Sequence, residues 1–372
     1  MNKQQLLLII TAVSAVLLIA VLCFFIFTCA NDKPPRQARE QIIIEEPDTP
    51  EELYAEEEEI EDEQTAESAV RVSSQAQRPL SSLSGLSSRL RGMGVNVSEI
   101  DPINFENPDL DVLRQMGVDQ YLISYFAGEQ FYKNAEIDKA LAEYTASINR
   151  NGEFLESYIS RGNAWMKKRE YARAIDDYSR AIRLDNTRAE VYNYRGYASY
   201  ELAASYEHAA RYELAARHNQ TEINQAIEDF SRAISINRNY VDAYINRSLV
   251  FYRTGNFDRV IEDCNHILRL EPSNSVIWNR RGSAWYRKED DDRAIADFTE
   301  AIRLNTNYTV AYYNRASAWY SKKEFDRAMA DLNRCLAINP SFTPAYTTRG
   351  NIFRLMGNNE SADADFAAAS RL

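Results

Sequence analysis

The hydrophobic pattern changes character twice along the chain. Leu6 to Thr28 reads LLLIITAVSAVLLIAVLCFFIFT, 23 residues without a charge. As a helix at 1.5 Å per residue it spans roughly 35 Å, enough to cross a hydrocarbon core of about 30 Å with some tilt. The pattern predicts an uncleaved transmembrane helix within an N-terminal anchor, residues 1–30. Thr28-Cys29-Ala30 faintly resembles a cleavage site, and Cys29 offers lipidation as an alternative. A cleaved signal, however, has an apolar region of only about 7–15 residues. Residues 31–100 then lose the apolar pattern: Pro34, Pro35, Pro47 and Pro50 precede a nearly solid acidic run, Glu51 to Glu63, and a Ser-rich stretch follows. Like charges with little to bury predict a disordered linker. Leu80, Leu83, Leu86 and Leu90 fall at helical spacing within it, but Gly85, Gly92 and Gly94 oppose a stable helix.

After a lead-in over 101–120, the pattern becomes periodic from 121 to 372. Gly128, Gly162 and Gly196 are 34 residues apart, and Gly282 and Gly350 continue the register with Ser248 and Ala316 between them. Twelve residues after each stands Ala140, Ala174, Ala226, Val260, Ala294, Ala328 or Ala362; the third interval carries 18 extra residues. Four further on are Tyr144, Tyr178, Phe230, Cys264, Phe298, Leu332 and Phe366. This spacing predicts two short antiparallel helices per unit. Small residues let the helices approach, the aromatic fills the space between adjacent pairs, and stacked pairs share one core.

These positions resemble the tetratricopeptide repeat (TPR) family, in seven registers over two thirds of the chain. Pro272 and Pro340 match the family's closing proline, whereas Gly152, Asn186, Arg238 and Thr306 replace it. The resemblance implies an all-α fold, a right-handed α-solenoid of seven helix-turn-helix units whose first helices line a concave, partner-binding groove. The extra residues, Ala203 to Gln220, are rich in alanine and free of Gly and Pro. They predict lengthening of both helices of the third unit by about nine residues each, roughly 13 Å.

A second regularity precedes each small residue: Arg161, Arg195, Arg247, Arg281, Arg315 and Arg349. On the second helices it is matched by Asp177, Asp229, Asp263, Asp297, Asp331 and Asp365. Guanidinium and carboxylate in fixed register predict structural pairs, within or between units. Helical spacing on the first helices brings Tyr132, Met166, Tyr200, Tyr252, Tyr286 and Tyr320 to the implied groove, with Lys133, Lys167, Arg253 and Arg287 next to four of them. Asn163, Asn193, Asn279 and Asn351 reach the same face and suit a peptide backbone. One subclass of the family grips C-terminal carboxylates with two lysines, two asparagines and an arginine. Here Asn314 fits, but Asn279, Pro344 and Thr348 stand where the basic residues belong.

Composition narrows the function. The formal charge is −12, yet residues 40–70 alone hold 14 acidic and no basic residues, which leaves about +2 for the rest (−12 minus −14). A broad nucleic-acid-binding field is excluded. Three histidines, four cysteines and no phosphate loop, HExxH or paired CxxC predict no enzyme, no metal and no cofactor. The expected protein is a membrane-tethered adaptor that binds protein or peptide segments through its groove. The alternative is a permanent structural subunit of an envelope or secretion assembly. The array is expected on the extracytoplasmic side of a single-pass membrane anchor. Intramolecular docking of Glu51–Glu63 onto the groove's basic residues is a further expectation, since a spacer of about 50 residues gives it reach.

Overall fold

The computed structural model describes residues 109–115, 117–207 and 213–372. The anchor, the acidic run, the rest of the linker and the first eight residues of the lead-in lie outside them. Fifteen helices and no strand occur among the described residues. A short α1 (Leu110–Gln115) precedes α2 (Gln120–Lys133) and α3 (Ile137–Arg150). Next come α4 (Leu155–Lys167), α5 (Tyr171–Leu184), α6 (Ala189–Glu207) and α7 (Glu213–Ile236). They are followed by α8 (Val241–Arg253), α9 (Phe257–Leu270), α10 (Ser275–Arg287), α11 (Asp291–Leu304) and α12 (Thr309–Ser321). The last three are α13 (Phe325–Ile338), α14 (Thr343–Leu355) and α15 (Asn359–Ala369). The chain divides after Arg315 into two compact bodies. The described part of the first, residues 109–315, carries α1 to α11 and the start of α12; residues 316–372 carry the remainder.

Most helices run 13 or 14 residues, whereas α6 and α7 run 19 and 24. Successive helices pack as antiparallel pairs around the small residues. A Cβ on Gly162 would stand 2.6 Å from the Tyr178 ring, and on Gly282 2.7 Å from the Phe298 ring. The aromatic therefore lies across the first helix of its own pair. Ala140, Ala174, Ala226 and Ala294 are fully enclosed beside it.

The turn inside each ordinary pair repeats one device. The residue seven places after the small one adopts a positive φ: Ala135, Arg169, Gly255, Glu289, Lys323 and Gly357, between 58° and 78°. This lets the next N–H bond back into the first helix, as Glu170 does to the Trp165 carbonyl (3.0 Å) and Asp290 to that of Trp285 (2.9 Å). Side chains cap some of the following helices: Asn256, Asp290 and Asn358 accept from Arg259, Arg293 and Ser361 N–H. Between pairs, where proline is mostly missing, Asn151, Asp185, Asn237, Asn305 and Asn339 each accept the N–H two residues on, at 3.0–3.1 Å. Four of these Asx turns stand where the proline is missing, and the fifth, at Asn339, precedes Pro340.

The regular arginines form a ladder. Arg161, Arg195, Arg247, Arg281 and Arg349 each grip Asp177, Asp229, Asp263, Asp297 and Asp365 through two hydrogen bonds of 2.7–3.0 Å. The carboxylate lies within the same pair. The link to the preceding pair is a separate contact: the Nη1 groups of these arginines and of Arg315 donate to Thr145, Ser179, Ser231, Asn265, Thr299 and Asn333. Each of the six guanidinium groups also lies 4.6–5.9 Å from an aromatic centroid three residues earlier, from Tyr158 to Tyr346. Burial pushes the Asp177, Asp229, Asp263 and Asp297 carboxyls upward, against the pull of the arginines. Such pairs specify register at least as much as they stabilise.

Candidate functional site

The first helices α2, α4, α6, α8 and α10 carry the candidate face within residues 109–315. The ladder arginines fix their rotation, so the residues one and two places before each arginine share one side. Those places include Asn193, Asn246, Asn279 and Arg280 on α6, α8 and α10, and Asn314 on α12, beside Tyr194, Ile245 and Tyr313.

These side chains bond to one another. Asn246 Nδ2 donates to Asn193 Oδ1 at 3.0 Å, and Asn314 Nδ2 donates to Asn279 Oδ1 at 3.0 Å. Arg280 is 1% exposed, and its Nη1 donates to the Ile245 carbonyl (3.1 Å) and to Ser248 Oγ (3.0 Å) on α8. Asn246 Oδ1 and Asn279 Nδ2 are enclosed without a hydrogen-bond partner. Nearer the start, Arg188 Nε donates to Glu190 at 2.5 Å and its Nη1 lies 4.0 Å from the buried Glu156.

The tyrosines and their basic neighbours fall into separate contacts. Tyr200 is 4% exposed; its hydroxyl accepts from Arg253 Nη1 at 2.8 Å, and that guanidinium lies 5.1 Å from the Tyr200 centroid. Tyr252 meets Phe257 edge to face at 5.5 Å, and exposed Arg287 lies over the same Phe257 ring. Tyr132 is half-buried; burial and then Glu129 push its phenol up to about 12. Met166 packs into the α4–α5 core, Tyr286 is half-buried, and Lys133 and Lys167 are exposed. Asn163 is drawn inward: its Oδ1 accepts from the Tyr178 hydroxyl at 2.7 Å, as Glu129 accepts from Tyr144 at 2.7 Å. In the second body, Tyr320 packs against Phe325 at 5.7 Å and Asn351 is half-buried.

Thus the structure brings Asn193 and Asn279 into one polar row and Tyr200 with Arg253 into one stacked contact. It turns Asn163 to a different task. Sequence reasoning missed Arg280 and Asn246. Their signal was present: the place before the ladder arginine holds Ser160, Tyr194, Asn246, Arg280, Asn314 and Thr348, never an aliphatic residue. Among the described residues, no group of three or more His, Cys, Asp or Glu gathers as a metal site. Nor is any helix among them long and apolar enough to cross a membrane.

Residues 309–342 match the family described as tetratricopeptide repeat, and residues 162–202 match that described as TPR repeat. A curated relative from Dictyostelium discoideum, DnaJ homolog subfamily C member 7 homolog, is 22% identical over 162 residues, 40% of this chain. The match spans only 28% of that relative's length. Among solved structures, the C-terminal part of a TPR repeat-containing protein from Cytophaga hutchinsonii is similar with a TM-score of 0.54 at 15% identity. It covers 66% of this chain and 93% of its own, and supports the all-helical repeat fold. YrrB, described as a TPR protein with an unusual peptide-binding site, is similar at 16% identity with a TM-score of 0.44, covering 57% of this chain and 96% of its own. Residues 162–202 and 309–342 are thus similar to the tetratricopeptide repeat family, and the all-helical repeat fold agrees with that similarity.

Proposed function

We propose that the array is a protein-interaction module that binds an extended polypeptide segment along its first-helix face. Tetratricopeptide repeat proteins generally mediate protein–protein interaction. The observation that carries the reading here is the set of Asn193, Asn246, Asn279 and Asn314, amides that bond to one another between successive first helices. Amides recognise main chain without demanding a charge, and tyrosines beside them add contact area at low entropy cost. In this proposal Leu6–Thr28 tethers the module to a membrane, residues 31–100 give it reach, and the array lies on the extracytoplasmic side. Protease accessibility in intact against opened cells tests that side: digestion only after opening overturns it.

Photo-crosslinking the full chain tests the face. A benzophenone residue in place of Tyr252 or Tyr286 is expected to trap a discrete partner, and one in place of Arg180 on α5 is not. Equal adducts at all three positions would refute the assignment. The acidic segment Glu51–Glu63 is proposed as a weak internal competitor for the same face. Titrating a peptide of residues 48–67 onto the protein at low salt is expected to give binding that falls in Lys167→Ala and Arg287→Ala. Binding unchanged by either substitution removes that part of the proposal.

A further inference from the structure

The first pair of the array is built without the ladder. Ala127 stands where the other six pairs place arginine, and Glu143 where they place aspartate. Its polar tie runs through another side chain, Glu129, one residue after Gly128. Glu129 Oε1 accepts from the Tyr144 hydroxyl at 2.7 Å, and Ser160 bonds to the same carboxyl. One side chain on α2 thus holds α3 of its own pair and α4 of the next. In the second pair the same register holds Asn163, which accepts from the Tyr178 hydroxyl at 2.7 Å, and Arg161 grips Asp177 beside it. Asn163 does not titrate. The first pair keeps the tyrosine bond, lacks the ladder, and uses an acceptor that takes up a proton.

The groups around Glu129 belong to three helices. They are Tyr125, Tyr132 and Lys133 on α2, Tyr144 on α3 and Ser160 on α4, with Glu156 of α4 acting on the same Tyr125 phenol. Burial of the Glu129 carboxyl outweighs the Ser160 and Tyr144 bonds and the Lys133 charge, and holds its pKa above the ordinary value. The folded pair therefore binds the proton more tightly than the unfolded chain. That stabilisation is complete below the unfolded pKa and is lost as pH rises through the folded one. Once protonated, Glu129 also has a hydrogen to donate. The Tyr132 hydroxyl, one turn along α2 and enclosed without a hydrogen-bond partner, has an oxygen to receive it. We infer that Glu129 makes the first pair a proton-operated joint: with the carboxyl ionised α2 and α3 open more readily, and with it protonated they close onto α4. The opening is local, because each pair of such an array is stabilised by its nearest neighbours. It does not depend on which face binds a partner.

The test is hydrogen–deuterium exchange of the full-length protein in detergent between pH 7 and pH 5, with rates corrected for the intrinsic pH dependence of amide exchange. Wild type is expected to gain protection in α2 and α3 by about threefold or more as pH falls, with α8 to α11 unchanged. Glu129→Gln, neutral like Asn163 in the next pair, should show the acid level of protection at both pH values. Tyr144→Phe removes a bond that favours the ionised form, so its protection should rise at a higher pH than in wild type. A side chain that only packed would not move that midpoint. Wild-type protection independent of pH overturns the inference, and so does a gain of equal size in every pair. A Glu129→Gln protein that responds like wild type assigns the titration to another group and overturns it as well. Should Glu129→Gln not fold, the Tyr144→Phe midpoint decides alone, and an unmoved midpoint overturns the joint.

Discussion

Gly162 has no room for a methyl group. Its missing Cβ would meet the Tyr178 ring at 2.6 Å, and that ring is held by a hydroxyl bond to Asn163. Gly162→Ala is therefore expected to destabilise by about 1–3 kcal/mol through overpacking, seen as a lower urea midpoint. An unchanged midpoint would mean the ring yields. Glu129 allows a test in pH. Burial raises its carboxyl pKa, against the hydrogen bonds from Ser160 and Tyr144 and the charge of Lys133. A group with a folded pKa above its unfolded one stabilises fully below the unfolded value, and that contribution is lost as pH rises through the folded value. Wild type should thus gain more stability than Glu129→Gln between pH 7 and pH 4. Parallel gains in the two proteins would exclude Glu129 as a titrating contributor.

At the scale of the helix pair, the ladder separates two functions in one side chain. Arg281 holds Asp297 within its pair and donates to Asn265 on the preceding one. Asn265→Ala should cost about 1 kcal/mol, one hydrogen bond. Arg281→Lys should cost more, because lysine loses the two-pronged grip and the stacking on Trp278. Comparing the two variants by chemical denaturation checks that order. The arginines and aspartates were legible in the sequence because each keeps one residue type in one register. Their third partner was not, since Thr145, Ser179, Ser231, Asn265, Thr299 and Asn333 share only an oxygen atom. The Asx turns escaped notice for a related reason: attention to the missing prolines hid the Asn or Asp just before them. On the candidate face, Asn193 and Asn279 were readable by helical spacing. Which amides bond to one another depends on side-chain rotation between successive pairs, and one repeat read alone does not carry it.

Across the first body, helices pack chiefly against their immediate neighbours in the chain, α6 on α7 and α2 on α3 above all. Such an array behaves as coupled nearest neighbours, with cooperativity that decays over distance. A lesion in one pair should stay local. Gly282→Ala, whose Cβ would stand 2.7 Å from Phe298, is expected to speed amide exchange in α8 to α11 and leave α2 to α5 unchanged. Hydrogen–deuterium exchange mass spectrometry reads this directly. Uniform acceleration from α2 onward would show a single cooperative block instead.

The left-handed turn residues have a consequence for how such a protein is tuned. Gly255 and Gly357 adopt this conformation without steric cost, whereas Ala135, Arg169, Glu289 and Lys323 adopt it at φ of 58–64° with a side chain in the way. Four of the six turns therefore hold a small reserve. Arg169→Gly or Glu289→Gly should recover up to about 1 kcal/mol once glycine's greater freedom in the unfolded chain is subtracted, a rise measurable by thermal melting. Because Arg169 is exposed and lies between the helices, such a change edits neither the core nor the candidate face. Four hairpins thus carry a rheostat of their own. Selection can soften or harden one segment of the array while its recognition chemistry stays as it is.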